Sequence, residues 1–226
     1  MTKDNGFIEI LKFYQEIGVD FLRIKPDDPA FNLNEINNEI KQCTKCHLHK
    51  TKKNYVSGEG SLTPDIFFIG EGPGDTEDRF GRPFIGKAGQ LLDRVILKMG
   101  YTRNTVFIGN ILKCRPPNNR NPLKDEVDSC LPYLKRQIAT LKPKVLVCLG
   151  KVALENLLGG GFPISRVRGQ RFTYEHIPVI PTFHPSFILH QRTREEISEA
   201  KWKVWEDMKK VLLIIKELTP NIDDTF

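Results

Sequence analysis

Apolar and polar residues along this 226-residue chain follow two alternating patterns, one typical of strands and one typical of helices. Short apolar runs bounded by glycine, proline or polar residues predict four strands, at residues 65–69, 105–108, 144–149 and 177–182. Apolar residues at helical spacing predict helices at residues 87–99, 123–141, 152–158 and 193–218. We expect Trp202 and Trp205 to anchor the last helix. Strands that alternate with helices form parallel sheets covered on both faces, so the pattern predicts an α/β fold around four parallel strands.

The chain before the first strand carries two further helical patterns. The first, at residues 5–24, has one apolar face and is interrupted by the run KPDDP at residues 25–29. The second lies at residues 33–42. We therefore divide the chain into an N-terminal helical extension, a main domain and a C-terminal tail, at residues 1–32, 33–218 and 219–226.

Composition is that of an ordinary globular protein, with 39% hydrophobic and 27% charged residues. No apolar run approaches the roughly 18 residues that a membrane-spanning helix needs. The N-terminus lacks the charged and then apolar pattern of a signal peptide. We therefore expect an intracellular, cytoplasmic protein that is monomeric and has no membrane partner.

The net charge of +6 is concentrated in two segments. Residues 41–53 contain five basic and no acidic side chains, and residues 113–151 contain nine basic and three acidic ones. A positive surface built from these segments would suit a nucleic-acid backbone. Charge alone fits a solvated basic face equally well.

Four of the five cysteines are spaced as metal ligands often are. Cys43 and Cys46 form a C-x2-C pair, and Cys114 and Cys130 follow after 67 and 15 further residues. Four thiolates suit a zinc ion or an iron–sulfur cluster, and the spacing does not choose between them. The fifth, Cys148, lies in an apolar run and is expected to be a buried core residue.

Polar residues follow three of the predicted strands: Glu71, Asn110 and His184. Each could be a turn, capping or structural residue, but ligands of parallel sheets bind at this edge, beyond the carboxyl ends of the strands. The glycines of the run GEGPG at residues 70–74 do not match a dinucleotide fingerprint, because Asp75 stands where the third glycine belongs. We expect Gly70 and Gly72 to bring the backbone close to a flat ligand.

Together these motifs resemble the family 4 uracil-DNA glycosylases of bacteria and archaea over about residues 33–215. The resemblance is carried by GEGPG at residues 70–74, GRPF at 81–84, GKAGQLL at 86–92, NILKCRPP at 110–117, KPKV at 142–145 and HPS at 184–186. It implies a three-layer α/β/α sandwich with a central four-stranded parallel sheet. It also implies a structural 4Fe–4S cluster on Cys43, Cys46, Cys114 and Cys130.

The activity that the resemblance implies is hydrolysis of the N-glycosidic bond of uracil in single- or double-stranded DNA. The base is flipped out, free uracil is the product, and base excision repair begins. By the same resemblance, Phe84 stacks on the uracil, Asn110 binds its Watson–Crick edge and His184 reaches its O2. Such a set of aromatic and hydrogen-bonding groups is what reading a flipped base requires.

Further roles follow from the resemblance. Gly72 lies where family 1 enzymes have a water-activating aspartate, so Glu71 is the nearest acid that can position the water. Glu77 matches a position that excludes the thymine methyl group. Ile188 or Leu189 could wedge into the duplex, or both could pack on the core.

Several alternatives remain at this stage. One relative traps uracil-DNA covalently through a histidine after the second strand, but residues 115–122 contain no histidine. A non-catalytic DNA-binding module would not require Glu71, Phe84, Asn110 and His184 together. Helix-hairpin-helix glycosylases have closely spaced cysteines, and a lyase would need an amine, for which Lys113 is the only lysine at these strand ends. A tail that binds a sliding clamp is a further hypothesis.

Overall fold

A computed structural model describes residue 16 and residues 29–219. Apart from residue 16, the helix predicted at residues 5–24 lies outside the described residues, as do residues 220–226 of the predicted tail. The first described helix, α1 (Pro29–Gln42), begins four residues before the predicted start at residue 33.

A mixed sheet of six strands forms the centre of the described chain. The strands are β1 (Glu59–Gly60), β2 (Ile66–Gly70), β3 (Phe107–Asn110), β4 (Val145–Leu149), β5 (Phe172–Tyr174) and β6 (Ile177–Thr182). Their order across the sheet is β1-β3-β2-β4-β6-β5. The central strands β3, β2, β4 and β6 are parallel, which confirms the predicted four-stranded core. The edge strands β1 and β5 pair antiparallel and were not predicted.

Helices cover both faces of the sheet. They are α2 (Asp75–Phe80), α3 (Lys87–Lys98), α4 (Lys124–Leu141), α5 (Lys151–Leu158), α6 (Ile164–Val167), α7 (Pro185–Leu189) and α8 (Arg194–Leu218). Side chains alternate across each strand, so Phe68 packs with α3 and α8 on one face while Phe67 packs with α4 and α5 on the other. The result is the predicted three-layer arrangement. Of the helices in the described residues, none is long and apolar enough to cross a membrane.

Two buried-residue predictions had different outcomes in the structure. Cys148 is completely buried in β4, as expected. Trp205 packs against the core, but Trp202 is 61% exposed, so the prediction that both tryptophans anchor α8 is wrong for Trp202. The Lys209 ammonium lies 5.5 Å from the centroid of the Trp202 ring, on the solvent side of the helix.

The strand register brings the predicted functional residues to one edge of the sheet. Gly70, the last residue of β2, pairs with Asn110, the last residue of β3. Leu149 pairs with Thr182 at the same end of β4 and β6. The segments that leave these strands therefore start side by side.

Candidate active site

A cleft of about 550 Å³ opens at the carboxyl edge of the sheet. This volume is within the usual range for small-molecule sites. The cleft is lined by six of the residues singled out from the sequence: Glu71, Gly72, Glu77, Phe84, Asn110 and His184. The structure therefore brings together groups that follow three different strands.

Gly70 does not line the cleft but allows two other residues to do so. A Cβ at this position would lie 2.5 Å from Cζ of Phe84 and 2.4 Å from Oδ1 of Asn110. Any side chain here would displace the ring or the amide. The sequence analysis expected Gly70 to bring the backbone close to a ligand. In the structure, the Gly70 backbone lies close to the Phe84 ring and the Asn110 amide.

Phe84 forms one wall of the cleft from the loop between α2 and α3. Its side chain is largely buried, and its ring centroid lies 5.7 Å from that of His184, with 39° between the planes. Its φ of 50° is in the left-handed region, which is unfavourable for a bulky residue. Gly89 of α3 permits a close backbone approach, since a Cβ there would lie 1.8 Å from the Phe84 carbonyl oxygen.

Asn110 has a buried amide oxygen without a partner. The residue is 1% exposed, and no described residue donates a hydrogen bond to its Oδ1. Leaving such an acceptor unpaired costs roughly 1–3 kcal/mol, which a ligand donor would recover. The backbone carbonyl of Asn110 accepts a hydrogen bond from Nζ of Lys113 at 2.9 Å.

His184 precedes α7 and caps its first turn. Its Nδ1 accepts a hydrogen bond from the backbone N–H of Ser186 at 3.1 Å and lies 2.6 Å from the Ser186 Oγ. An acceptor at Nδ1 leaves the proton of a neutral ring on Nε2. Burial also lowers the pKa of His184 to about 4. The imidazole is therefore neutral near pH 7.

The two glutamates of the cleft have different surroundings. Burial raises the pKa of the Glu71 carboxyl above its usual range. Glu77 is already engaged: its Oε1 accepts hydrogen bonds from the backbone N–H groups of Ile85 and Gly86 at 2.9 and 2.8 Å. It therefore holds the loop that carries Phe84, a contact that the sequence did not predict.

Basic and amide side chains also line the cleft. They are Asn119, Arg120, Asn121, Lys151 and His190. Four of these fall in the basic segment 113–151, but the sequence did not single out any of them as site residues. Arg120 is held in place by Glu126, which it contacts at 2.6 Å.

The residues predicted as a wedge lie in different environments. Ile188 is 2% exposed and belongs to the core packed against α8, so it does not reach the surface. Leu189 is 46% exposed, between the cleft residues Ser186 and His190 in sequence. A wedge role thus remains a prediction for Leu189.

Lys113 is not in the cleft. Its ammonium is buried, donates to Oε1 of Gln137 at 2.7 Å and to the Asn110 carbonyl, and faces the cysteine-lined cavity. Burial lowers its pKa to about 8. Because its Nζ is hydrogen-bonded away from the cleft, the structure offers no support for Lys113 as a nucleophile.

A second, small cavity is lined by Cys43, Cys46, Cys114 and Cys130. The first two follow α1, the third follows β3, and the fourth lies on α4. Burial raises the pKa of Cys114 to about 12 and that of Cys130 to about 11. Within the part of the chain that the structure describes, no three His, Cys, Asp or Glu side chains are grouped so that they could hold a metal ion.

Comparisons with known proteins agree with this geometry. The family model described as Uracil DNA glycosylase superfamily matches residues 57–209. A Type-4 uracil-DNA glycosylase of Archaeoglobus fulgidus is 44% identical over 180 residues, which are 76% of this chain and 90% of the relative. One of Thermotoga maritima is 42% identical over 184 residues, 80% of this chain and 94% of the relative. A Type-5 uracil-DNA glycosylase of Pyrobaculum aerophilum is 26% identical over 144 residues.

Proposed function

The chain belongs to the uracil DNA glycosylase superfamily, and from this membership we propose that it hydrolyses the N-glycosidic bond of uracil in DNA and so initiates base excision repair. One observation supports this cleft as the site of that activity. The unpaired Oδ1 of Asn110 lies beside the Phe84 ring and in the same cleft as a neutral His184. This is an apolar surface with two hydrogen-bonding groups, as a flat, polar-edged base requires.

Recognition of the base falls to Phe84 and Asn110. Stacking on an aromatic ring offsets the stacking that a base loses on leaving the duplex, by roughly 1–3 kcal/mol. The Asn110 amide can accept from N3–H of uracil and donate to O4. Cytosine presents the reverse pattern of donor and acceptor, so the same amide disfavours it. Glu77 would lie against the ring edge and exclude the thymine methyl group.

Departure of the base is assisted by His184. The leaving group is a uracil anion, so negative charge develops at O2 only as the bond breaks. An Nε2–H donor aimed at O2 stabilises that charge in the transition state more than in the ground state. A neutral imidazole does this without transferring a proton.

The attacking water is assigned to Glu71. A carboxylate beside the Gly72 backbone can accept a hydrogen bond from the water and orient it, and its charge stabilises the cationic sugar. The reaction is proposed to be monofunctional, since Lys113, the lysine at the predicted strand ends, is held by Gln137 outside the cleft.

The four cysteines are proposed to hold a structural 4Fe–4S cluster. All four cysteines line one cavity, and four cysteine thiolates are the donor set that holds a 4Fe–4S cluster. The same donors would also suit zinc, and it is the membership of the family that favours the cluster. When bound, the cluster would fix the ends of α1, β3 and α4 relative to one another.

The proposed substrate is uracil-containing DNA, single- or double-stranded, with free uracil as product. Arg120 and Lys151, which line the cleft, suit backbone phosphates. We further propose a monomer that acts inside the cell, where its substrate is found. The hypothesis that the tail binds a sliding clamp concerns residues outside the described range, apart from Thr219.

The test uses duplex oligonucleotides that hold one uracil, one thymine opposite guanine, or one cytosine, followed by alkali to break abasic sites. We expect alkali-dependent breakage at uracil alone. Breakage before alkali would indicate a lyase. Tight binding to uracil-DNA without breakage would indicate a sensor, and a denaturing gel would then reveal a covalent adduct.

The variant Asn110→Asp links the activity to this cleft. It removes the donor to O4 and places a second acceptor there, so we expect the uracil rate to fall by about 5- to 150-fold, for a loss of roughly 1–3 kcal/mol. The ratio of uracil to cytosine cleavage should narrow. Asn156→Asp on α5 is the matched control, because its amide donates to the Val152 carbonyl and Asn156 is not among the residues that line the cleft. An unchanged rate and selectivity in Asn110→Asp would remove Asn110 from the mechanism.

A further inference from the structure

We propose that Arg103 is a positioning residue for Phe84, and that it controls the geometry of base stacking from outside the cleft. Arg103 lies between α3 and β3 and is not among the residues that line the cleft. The inference rests on the proposed function, since Phe84 is the surface on which the uracil stacks. It assigns a task to a residue that neither the motifs nor the strand ends pointed to.

Phe84 needs external restraint to keep its conformation. Its φ of 50° is one that non-glycine residues adopt at a cost of roughly 1–3 kcal/mol, and such conformations persist only where surrounding contacts impose them. The direction of the ring follows from this backbone conformation. A relaxed Phe84 backbone would move the ring relative to Asn110 and His184.

Arg103 supplies that restraint at the carbonyl groups of the loop. Its Nη2 donates to the Pro83 carbonyl at 2.6 Å, and its Nη1 donates to the Phe84 carbonyl at 3.0 Å. These two bonds fix successive peptide planes on either side of the Phe84 Cα. No other side chain among the described residues is recorded as binding either carbonyl.

The guanidinium is itself held firmly. Nε and Nη2 both donate to Oε1 of Glu59, at 3.0 and 2.6 Å, and Nη1 donates to Oδ1 of Asp93 at 2.7 Å. Together with the two carbonyl bonds, this accounts for all five N–H donors of an arginine. The side chain is 19% exposed, so these bonds are partly shielded from water. A lysine has three donors on one atom and cannot reproduce this fork.

Glu77 restrains the same loop through its backbone N–H groups. Its carboxylate binds the N–H groups of Ile85 and Gly86, while Arg103 binds the carbonyls of Pro83 and Phe84. The Glu77 carboxylate thus binds two backbone N–H groups, and the Arg103 guanidinium binds two backbone carbonyls, in four consecutive residues. Of these two charged residues, only Arg103 stays away from the ligand, so its contribution can be removed without changing an atom of the cleft.

The expected consequence is a loss of rate more than of DNA affinity. A misplacement of about 1 Å at a reacting site can cost up to roughly 100-fold in rate. Arg103→Met should therefore lower the single-turnover rate on uracil-DNA by about 10- to 100-fold. The affinity for uracil-free DNA should stay within about 2-fold of the wild type, because Arg103 is not among the residues that line the cleft.

The experiment compares Arg103→Met, Phe84→Ala and the double variant with Arg82→Met as the matched control. The Arg82 Nε also donates to Glu59, at 2.8 Å. Among the described residues, the Pro83 and Phe84 carbonyls accept side-chain hydrogen bonds from Arg103 and not from Arg82. If Arg103 acts through Phe84, Arg103→Met should cost little extra in the Phe84→Ala background. If the rate losses of the two single variants multiply in the double variant, the positioning role is overturned. Arg103→Lys, which keeps the charge, should show the same loss of rate and serves if the methionine variant does not fold.

A second measurement does not depend on turnover. Amide exchange at Ile85 and Gly86, followed by NMR, should quicken in Arg103→Met and stay unchanged in Arg82→Met. Unchanged exchange in both variants would overturn the inference even if the enzyme were active. A wild-type chain that leaves uracil-DNA intact would instead overturn the proposed function, and the exchange result would still decide whether Arg103 holds the loop.

Discussion

At the scale of single residues, His184 is set in one protonation state by two independent features. Burial disfavours the charged ring and lowers its pKa to about 4, below the ordinary value near 6.5. The backbone N–H of Ser186 needs a lone pair on Nδ1, which a protonated ring does not have. Burial thus keeps the ring neutral, and the Ser186 N–H keeps its single proton on Nε2, the atom proposed to face the uracil O2.

A prediction for the pH profile follows. A neutral ring with a pKa near 4 gains its second proton only as the pH falls through about 4, so the contribution of His184 to the rate should be constant from pH 8 to about pH 5. The measurement is the single-turnover rate of the wild-type chain and of His184→Gln, which keeps an N–H donor. A fall in rate centred near pH 6.5 in the wild type that is absent in His184→Gln would contradict this protonation state. A fall common to both would belong to another group, such as Glu71.

The residues of the site differ in how far the sequence could predict them. Glu71, Asn110 and His184 follow apolar runs, so the general property of parallel sheets was enough to bring them together. Phe84 lies in a loop and Glu77 on the short helix α2, and both were found only through the resemblance to a family. Arg103 was missed because its role depends on two backbone carbonyls twenty and nineteen residues earlier in the chain, a contact that no local pattern carries.

At the scale of elements, burial and length decided which predictions succeeded. The strands β2 and β4 are completely buried and have continuous apolar sequences, so their pattern was clear. β1 has two residues and β5 has three, both only partly buried, and neither is long enough for alternation to be read. α8 was predicted at almost its full length. Trp202 nevertheless lies on its solvent side, because the buried face of the helix does not include every large side chain.

The short helix α7 gives a prediction about the wedge. Its five residues place Ile188 in the core and turn Leu189 outward, next to His190 at the cleft. If Leu189 fills the gap left by the flipped base, Leu189→Ala should lower the rate on duplex uracil by roughly 10-fold, because unstacking costs a few kcal/mol per step. The rate on single-stranded uracil, which has no gap to fill, should change little. Measuring both rates in one preparation gives the ratio directly.

The control for this prediction is Leu213→Ala, which removes a 60% exposed leucine from α8. It should leave both rates unchanged. If Leu189→Ala slowed single-stranded and duplex cleavage equally, the wedge role would be excluded, and the side chain would instead be needed to keep α7 and His184 in place.

At the scale of the whole molecule, the cysteine cavity joins the two basic segments of the chain. Cys43 and Cys46 come from residues 41–53, and Cys114 and Cys130 come from residues 113–151. These segments carry the positive excess, and the second supplies Arg120 and Lys151 to the lining of the cleft. A cluster bound by all four thiolates would hold these two basic segments together, and its cavity is separate from the cleft, so we propose an organising role for it rather than a chemical one.

This arrangement predicts that loss of one cluster ligand weakens DNA binding through the shape of the basic surface. Cys130→Ala should lose the visible absorption of the iron–sulfur cluster and reduce the affinity for uracil-free DNA at least about 10-fold, equivalent to losing one or two charge-assisted phosphate contacts. The dependence of affinity on salt should become shallower, since each lost phosphate contact reduces the slope by about 0.9. Cys148→Ala, which removes a buried thiol from β4 on the sheet, is the matched control and should change neither absorption nor affinity. If Cys130→Ala loses the cluster but keeps the affinity and the salt slope of the wild type, the two basic segments are held by the protein alone, and the cluster must have another task.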